Sequence, residues 1–319
     1  MKTLDYLAEK ISAANSVLVF CHVRPDGDTL GSAFALKKAL EKSGKKCGVV
    51  CDSEIPAKFG YTHFSDETMR PECVREKYEL HVAVDVASES LLGGAWGLFK
   101  SCVNEICIDH HTSNERYVKD YYVEEVAATA ILIYELIGKL DIEIDAEIAA
   151  CVLLGIVTDT GCFVNPNTDA RALSVASKAV ECGADYGKII YETRKTSKNK
   201  TGLLGEVLSG IRYYFGGKVA LICTSNELLS RYDLKSDGNE GFVDYPLRID
   251  GVCVSVSLLE DKKNLYRVSF RSRGELDVNA VAAEFGGGGH VNASGCVVRG
   301  LFEEVVERIV RAIKINSDF

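Results

Sequence analysis

Val17-Leu18-Val19-Phe20-Cys21-His22-Val23-Arg24-Pro25-Asp26-Gly27-Asp28-Thr29-Leu30-Gly31-Ser32 is the stretch on which the fold turns. A buried strand needs an apolar run like that of residues 17–20, and this one stops at His22. A Pro-Gly loop then carries Asp26 and Asp28. A helix is expected over residues 29–43, with Asp28 near its N-terminus and Gly31-Ser32 small enough for close backbone approach. Residues 46–51 form a second strand, and two further apolar runs, Val82-Ala83-Val84 and Ile106-Cys107-Ile108, end in Asp85 and in Asp109-His110-His111. Strands alternating with helical periods predict an α/β chain with a doubly wound parallel sheet flanked by helices.

Open parallel sheets gather ligands at the carboxyl ends of their strands, so His22, Asp85 and Asp109 are expected along one edge. Asp159 arrives differently, at the end of the helical stretch 147–157. Carboxylates and imidazoles without thiolates are the ligand types of two adjacent divalent cations, and they point to phosphoester hydrolysis. Each residue alone has a plainer reading, since an Asp after a strand is as often a turn or cap residue. Their coincidence decides the matter: of six histidines, three (His22, His110, His111) fall at these strand ends and a fourth, His290, follows a run of four glycines. His63 and His81 lack such a context and read as structural. Asp26, Asp28, Asp85 and Asp159 bring four negative charges, which two divalent cations offset.

Residues 128–183 show helical periods broken at Gly138, Asp145 and Gly161. Residues 185–211, rich in Lys, Thr and Ser, have helical character and no strand pattern. A second αβ unit is expected to begin near Lys218, with strands over 251–259, 266–271 and after Ser294, and helices over 278–285 and 302–315. Polar and apolar residues alternate over 252–257, which suits a half-buried strand in a mixed sheet. The expected division is a metal-binding catalytic domain over residues 1–190, a helical connector over 191–212, and a smaller α/β domain with a mixed sheet over 213–319. In the latter, Gly286-Gly287-Gly288-Gly289-His290 permits successive N–H groups to face one anion, a cradle for phosphate or nucleotide formed by Gly287, Gly288, Gly289 and His290. The basic run 194–200 reads as a solvated face and Tyr213-Tyr214-Phe215 as packing.

The ordered set HVRPDGDTLGSA, VAVDVAS, IDHHTSN, VTDTG and FGGGGHVNASG resembles the DHH family of phosphoesterases, in the form with a DHH-associated C-terminal domain, the nanoRNase and pAp-phosphatase type. The resemblance spans almost the whole chain and departs at no metal-ligand position. It implies one metal held by His22, Asp26 and Asp85, and a second held by Asp28, Asp85, His110 and Asp159, with Asp85 bridging. It makes Asp85, Asp109 and His111 the catalytic set: Asp109 orients an imidazole, and His111 faces the substrate, protonating the leaving oxygen or holding a phosphate oxygen. Arg271 in SFRSRG and His290 are implied to bind a second phosphate or its nucleoside. The family generally uses Mn²⁺, which hard oxygens mixed with imidazole also suit. The implied substrates are 3′-phosphoadenosine 5′-phosphate (pAp) and RNA a few nucleotides long. Linear or cyclic dinucleotides are the alternative. A nucleotide sensor that binds without hydrolysis would show a degenerate metal site, and none is visible.

Thirty-seven Lys and Arg against 46 Asp and Glu give a formal charge of −9. Proteins that bind long nucleic acid usually carry a basic surface, so a short substrate is expected and a long tract is not. Twelve scattered cysteines without a CxxC pair point to reduced thiols in the cytoplasm. Residues 1–14 read as an amphipathic helix without a signal peptide's apolar core, and the longest apolar run, 148–157, is too short to span a bilayer. No membrane partner is expected, and the protein should be a monomer or homodimer.

Overall fold

The computed structural model describes residues 1–274 and 276–318. The chain forms two compact units, Met1–Lys195 and Thr196–Phe319.

In the first unit, helix α1 (Leu4–Ala13) precedes β1 (Ser16–Phe20), α2 (Gly27–Lys42), β2 (Lys46–Val50), α3 (Phe64–Glu67), β3 (Thr68–Met69), β4 (Leu80–Val84), α4 (Trp96–Phe99), β5 (Glu105–Asp109) and β6 (Asp120–Val123). Four helices follow: α5 (Thr129–Lys139), α6 (Ala146–Asp159), α7 (Ala170–Glu181) and α8 (Tyr186–Arg194). The strands are parallel in the order β3-β2-β1-β4-β5-β6. Strand order reverses between β1 and β4, the crevice where doubly wound sheets bind ligands. Val17 and Val19 face a core shared with α2, α5 and α6. Leu18 and Phe20 face the opposite one, which includes Leu92 and Phe99. Both sheet faces are therefore covered, which is why the strands read as unbroken apolar runs.

Helix α2 begins two residues earlier than expected, because Asp26 caps it by accepting from the Asp28 and Thr29 backbone N–H groups at 3.0 and 3.1 Å. It lies close against α6: a Cβ at Gly31 would stand 2.4 Å from the Cys151 carbonyl oxygen. That contact makes glycine the only residue that fits without moving a helix.

The second unit contains α9 (Lys198–Ser209), β7 (Arg212–Tyr214), β8 (Val219–Thr224), α10 (Asn226–Arg231), β9 (Val254–Lys262), β10 (Leu265–Ser272), α11 (Val278–Ala283), β11 (Gly288–His290), β12 (Ala293–Arg299) and α12 (Phe302–Ile315). Its sheet runs β11-β12-β10-β9-β8-β7 and is mixed, β8 and β9 being the parallel pair. One face packs on α11 and α12 through Val268, Phe270, Val281 and Ile309. On α9, Leu203 and Val207 pack with Ile222, Phe242 and Leu259. Most of the stretch read as a connector is thus an integral helix of this unit, its i, i+4 apolar pair obscured by the surrounding Lys, Thr and Ser. Tyr214 and Phe215 pack on the α12 side, whereas Tyr213 is half exposed.

The glycine run also differs from a free loop. Gly288, Gly289 and His290 form β11, paired antiparallel with Gly295, Ser294 and Ala293. A Cβ at Gly287 would come within 2.2 Å of the Gly295 carbonyl, and one at Gly289, where φ is +151°, within 2.5 Å of the Ala293 carbonyl. Close hairpin approach explains these two glycines without any anion.

Candidate metal centre

Strand β1 delivers His22, β4 delivers Asp85, and β5 ends at Asp109, directly before His110 and His111. Asp159 comes from the last residue of α6. Three ligand groups result: His22, Asp26 and Asp85; Asp28, His110 and Asp159; and Asp85, His110 and His111. Within each, the ligand atoms lie within 4.8 Å of one another. His22 Nε2 is 3.6 Å from Asp26 Oδ1 and 3.6 Å from Asp85 Oδ2. His110 Nε2 is 3.5 Å from Asp85 Oδ1 and 3.4 Å from Asp159 Oδ2. Ligands at roughly 2.1 Å from a shared cation are about 3.0–3.5 Å apart, so the spacings around His22 fit one cation and those around His110 a second.

The ring tautomers fit as well. His22 Nδ1 faces the Val23 carbonyl and His110 Nδ1 the Val126 carbonyl, both at 2.9 Å. A carbonyl only accepts, so Nδ1 carries the hydrogen and Nε2 keeps its lone pair for a metal. His111 differs: its Nδ1 lies 2.8 Å from Asp109 Oδ1, much closer than the 3.7 Å to Asp85 Oδ1. Asp109 thus engages that nitrogen and leaves His111 Nε2 open. Asp109 is fully buried, also accepts from Asn114 Nδ2 at 2.6 Å, and has its carboxyl held below the usual range, burial being outweighed by His111 and Asn114.

Several supporting residues had no signal in the sequence. Asp28 accepts from the Thr129 and Ala130 backbone N–H groups at 2.6 and 2.9 Å. It thereby caps α5, whose own cap position, Ala128, has no side-chain acceptor. Thr129 Oγ1 donates to Asp85 Oδ1 at 2.9 Å. Asn165 and Asn167 each donate to the Asp159 carbonyl at 3.2 Å. Thr129 and Ala130 lie far from Asp28 and Asp85 in sequence and reach them only through the helix packing, whereas Asn165 and Asn167 follow Asp159 by six and eight residues.

Crowded carboxylates shift the local acidities. Burial, then Asp85 and Asp159, raise Asp28 well above the ordinary carboxyl range. Burial, offset in part by His110 and reinforced by Asp85, raises Asp159 from 3.8 to about 7. Burial opposes charge on His22, but Asp26 and Asp85 prevail and raise it from 6.5 to about 10. These are groups that two cations would relieve. Each folded-state pKa is raised, so the folded protein holds protons more tightly than the unfolded chain. Stability from His22 is complete below 6.5 and lost as pH rises through about 10. For Asp159 the corresponding loss runs from 3.8 to about 7. Protons and cations compete for the same atoms, so the gain in melting temperature on adding Mn²⁺ to EDTA-treated protein should grow from about pH 5.5 to about pH 9. A gain that is flat or shrinks across that range would show that the metal does not replace these protons.

His81 is buried, with Nδ1 at 3.0 Å from the Phe99 carbonyl, and its pKa is lowered by burial. His63 is exposed beside Asp66. Neither joins the ligand groups.

In the second unit, Arg271, Ala293 and His290 are register partners across β10, β12 and β11, so they share one sheet face. Arg271 Nε lies 3.3 Å from Asp244 Oδ1. Arg271 also lines a cavity of about 360 Å³ with Asn239, Ser257, Arg267 and Ser269. His290 is exposed on the edge strand and does not line that cavity.

Comparison with known proteins follows the same division. The DHH family, N-terminal domain, matches residues 16–156, and the DHHA1 domain matches residues 225–315. The bifunctional oligoribonuclease and PAP phosphatase NrnA of Thermus thermophilus is 32% identical over 311 residues, 97% of this chain and 92% of that protein. The protein of the same name from Bacillus subtilis is 25% identical over 298 residues, 92% of each. The crystal structure of an exopolyphosphatase-related protein from Bacteroides fragilis superposes with a TM-score of 0.89 at 28% identity, covering 98% of this chain and 95% of that one. A likeness that runs through both units, with both domains matched in order and nearly all of a relative covered, is kinship: the chain belongs to the DHH family of phosphoesterases that carry a DHHA1 domain.

Proposed function

We propose that this phosphoesterase hydrolyses short RNA oligonucleotides and pAp, using two divalent cations, Mn²⁺ foremost. The carrying observation is the convergence of His22, Asp26, Asp28, Asp85, His110 and Asp159 into ligand groups that share Asp85 and His110, with His22 and His110 both presenting Nε2. Cations held there supply Lewis acidity, which lowers the pKa of water and offsets charge on phosphoryl oxygens. The chain's own residues do the rest. Asp85 lies between the two histidines, Asp28 and Asp159 add charge on the α5 and α6 side, and His111 is oriented by Asp109 to give a proton from Nε2 to the departing oxygen. Mixed carboxylate and imidazole donors favour Mn²⁺ over Mg²⁺, which prefers an all-oxygen octahedron. Twelve free thiols, six of them buried, support a reducing cytoplasmic setting. No helix among the described residues is long and apolar enough to cross a membrane.

The net charge of −9 and the dual name of the 32% identical relative both favour a short anionic substrate over a long tract. The test is a turnover panel with Mn²⁺ comparing pAp, a linear dinucleotide, a five-nucleotide RNA, a long single-stranded DNA and pyrophosphate. Highest kcat/KM on pAp and the short RNAs is expected, and preference for pyrophosphate or the long strand would overturn the assignment.

The second unit's share in selection rests on Arg271. A charge-assisted contact is worth roughly 1.5–3 kcal/mol, so Arg271→Gln should lower kcat/KM on pAp and short RNA by about ten- to a hundredfold. A p-nitrophenyl diester without a second phosphate should be nearly unaffected. Equal losses on both would mean that Arg271 serves the fold through Asp244.

A further inference from the structure

Asp85, which like His110 is shared between two ligand groups, has φ +60°, a left-handed conformation uncommon outside glycine, Asn and Asp. Something must hold that turn. The Asp85 N–H donates to the Ile108 carbonyl at 2.9 Å. Directly after it, the Val86 carbonyl accepts from Asn114 Nδ2 at 3.2 Å and from the Tyr117 hydroxyl at 3.1 Å.

The same Asn114 nitrogen donates to Asp109 Oδ2 at 2.6 Å, and Asp109 through Oδ1 engages His111. Asn114 Oδ1 accepts from the Arg116 backbone N–H at 2.7 Å, which fixes the orientation of the amide, since a reversed one would face two acceptors with an oxygen. The side chain is nearly buried, at 8% exposure, so water does not readily replace these bonds. One amide nitrogen therefore reaches both the turn that aims Asp85 and the carboxylate that aims His111.

We propose that Asn114 is a positioning residue that couples the two halves of the centre, fixing Asp85 for the cations and His111 for proton transfer through its two amide hydrogens. The proposal rests on the two-cation reading of the site. It predicts that the two arms can be separated. Asn114→Leu, similar in size and without donors, removes both. Tyr117→Phe removes a donor to Val86 and leaves the Asn114–Asp109–His111 chain intact.

The experiment uses the full chain, with Mn²⁺ binding to EDTA-treated protein measured by calorimetry, and with kcat and KM at saturating Mn²⁺. Asn114→Leu should weaken Mn²⁺ binding by roughly 10–100-fold and, at saturating metal, still lose kcat by a similar factor with KM nearly unchanged. Tyr117→Phe should weaken Mn²⁺ binding by a smaller factor and recover nearly full kcat once saturated. Should Asn114→Leu not fold, Asn114→Ala, which removes the same donors without added bulk, carries the same test with the same expected effects. Wild-type Mn²⁺ affinity in the Asn114 variant would overturn the Asp85 arm. Full recovery of kcat at saturating metal in that variant would overturn the His111 arm. A wild-type protein that binds Mn²⁺ but turns over none of the panel would instead count against the proposed substrates, and the binding comparison would still decide the Asp85 arm.

Discussion

Asp85→Asn is expected to lower kcat with Mn²⁺ by roughly 10³-fold or more, equivalent to about 4 kcal/mol of transition-state stabilisation. Asn suits this experiment better than Ala because φ is +60° at this position, and Asn tolerates the left-handed region. Its Oδ1 also still accepts from Thr129 Oγ1, which lies 2.9 Å from Asp85 Oδ1, so the fold should persist. What the substitution removes is the charge on oxygens that face His22 Nε2 and His110 Nε2 at 3.6 and 3.5 Å. Turnover should fall while the far-ultraviolet spectrum stays native. A variant retaining more than about a tenth of wild-type turnover would remove Asp85 from between the cations.

The first unit is legible because its signals are local. Strands buried on both faces appear as continuous apolar runs, and residues 17–20, 82–84 and 106–108 mark β1, β4 and β5 directly. The edge strands β3 and β6 give no such signal. Thr68–Met69 is two residues long, and β6 reads Asp-Tyr-Tyr-Val, which has no apolar period. In the second unit the strand at Gly288–His290 is invisible in the sequence for a related reason: glycine has no side chain to carry an alternation, and β11 exists because β12 offers it a partner.

The candidate ligand residues are legible as types at strand ends, but the contacts that support them are not. That His22 and His110 expose Nε2 depends on the carbonyls of Val23 and Val126, and no sequence pattern marks a carbonyl. Asp28 as a cap for α5 spans 101 residues to Thr129. Asn114 stands within the IDHHTSN stretch without a sequence signal of its own, because an Asn in a loop is ordinarily a turn residue. Only its distances to Asp109 and Val86 distinguish it.

His111→Ala separates proton transfer from metal binding, since the pair of adjacent histidines is divided by what their Nδ1 atoms face. His110 Nδ1 faces a carbonyl and its Nε2 lies within 3.5 Å of both Asp85 and Asp159, the environment of a ligand. His111 Nδ1 is engaged by a buried carboxylate, and burial's opposition to charge is overcome by Asp109 and Asp85, which raise His111 from 6.5 to about 9. With Nδ1 held by Asp109, Nε2 is the ring atom left free to give a proton to a departing oxygen. General acid catalysis contributes roughly 10²–10⁴-fold, so kcat for pAp and short RNA should drop by that range in His111→Ala while two Mn²⁺ per chain remain bound. His110→Ala should lose one Mn²⁺. A p-nitrophenolate leaving group departs without a proton, and on such a diester the His111→Ala loss should shrink to about tenfold or less. Equal losses on natural and activated substrates would deny His111 the acid role, and loss of an ion from the His111 variant and not from the His110 variant would exchange the two roles.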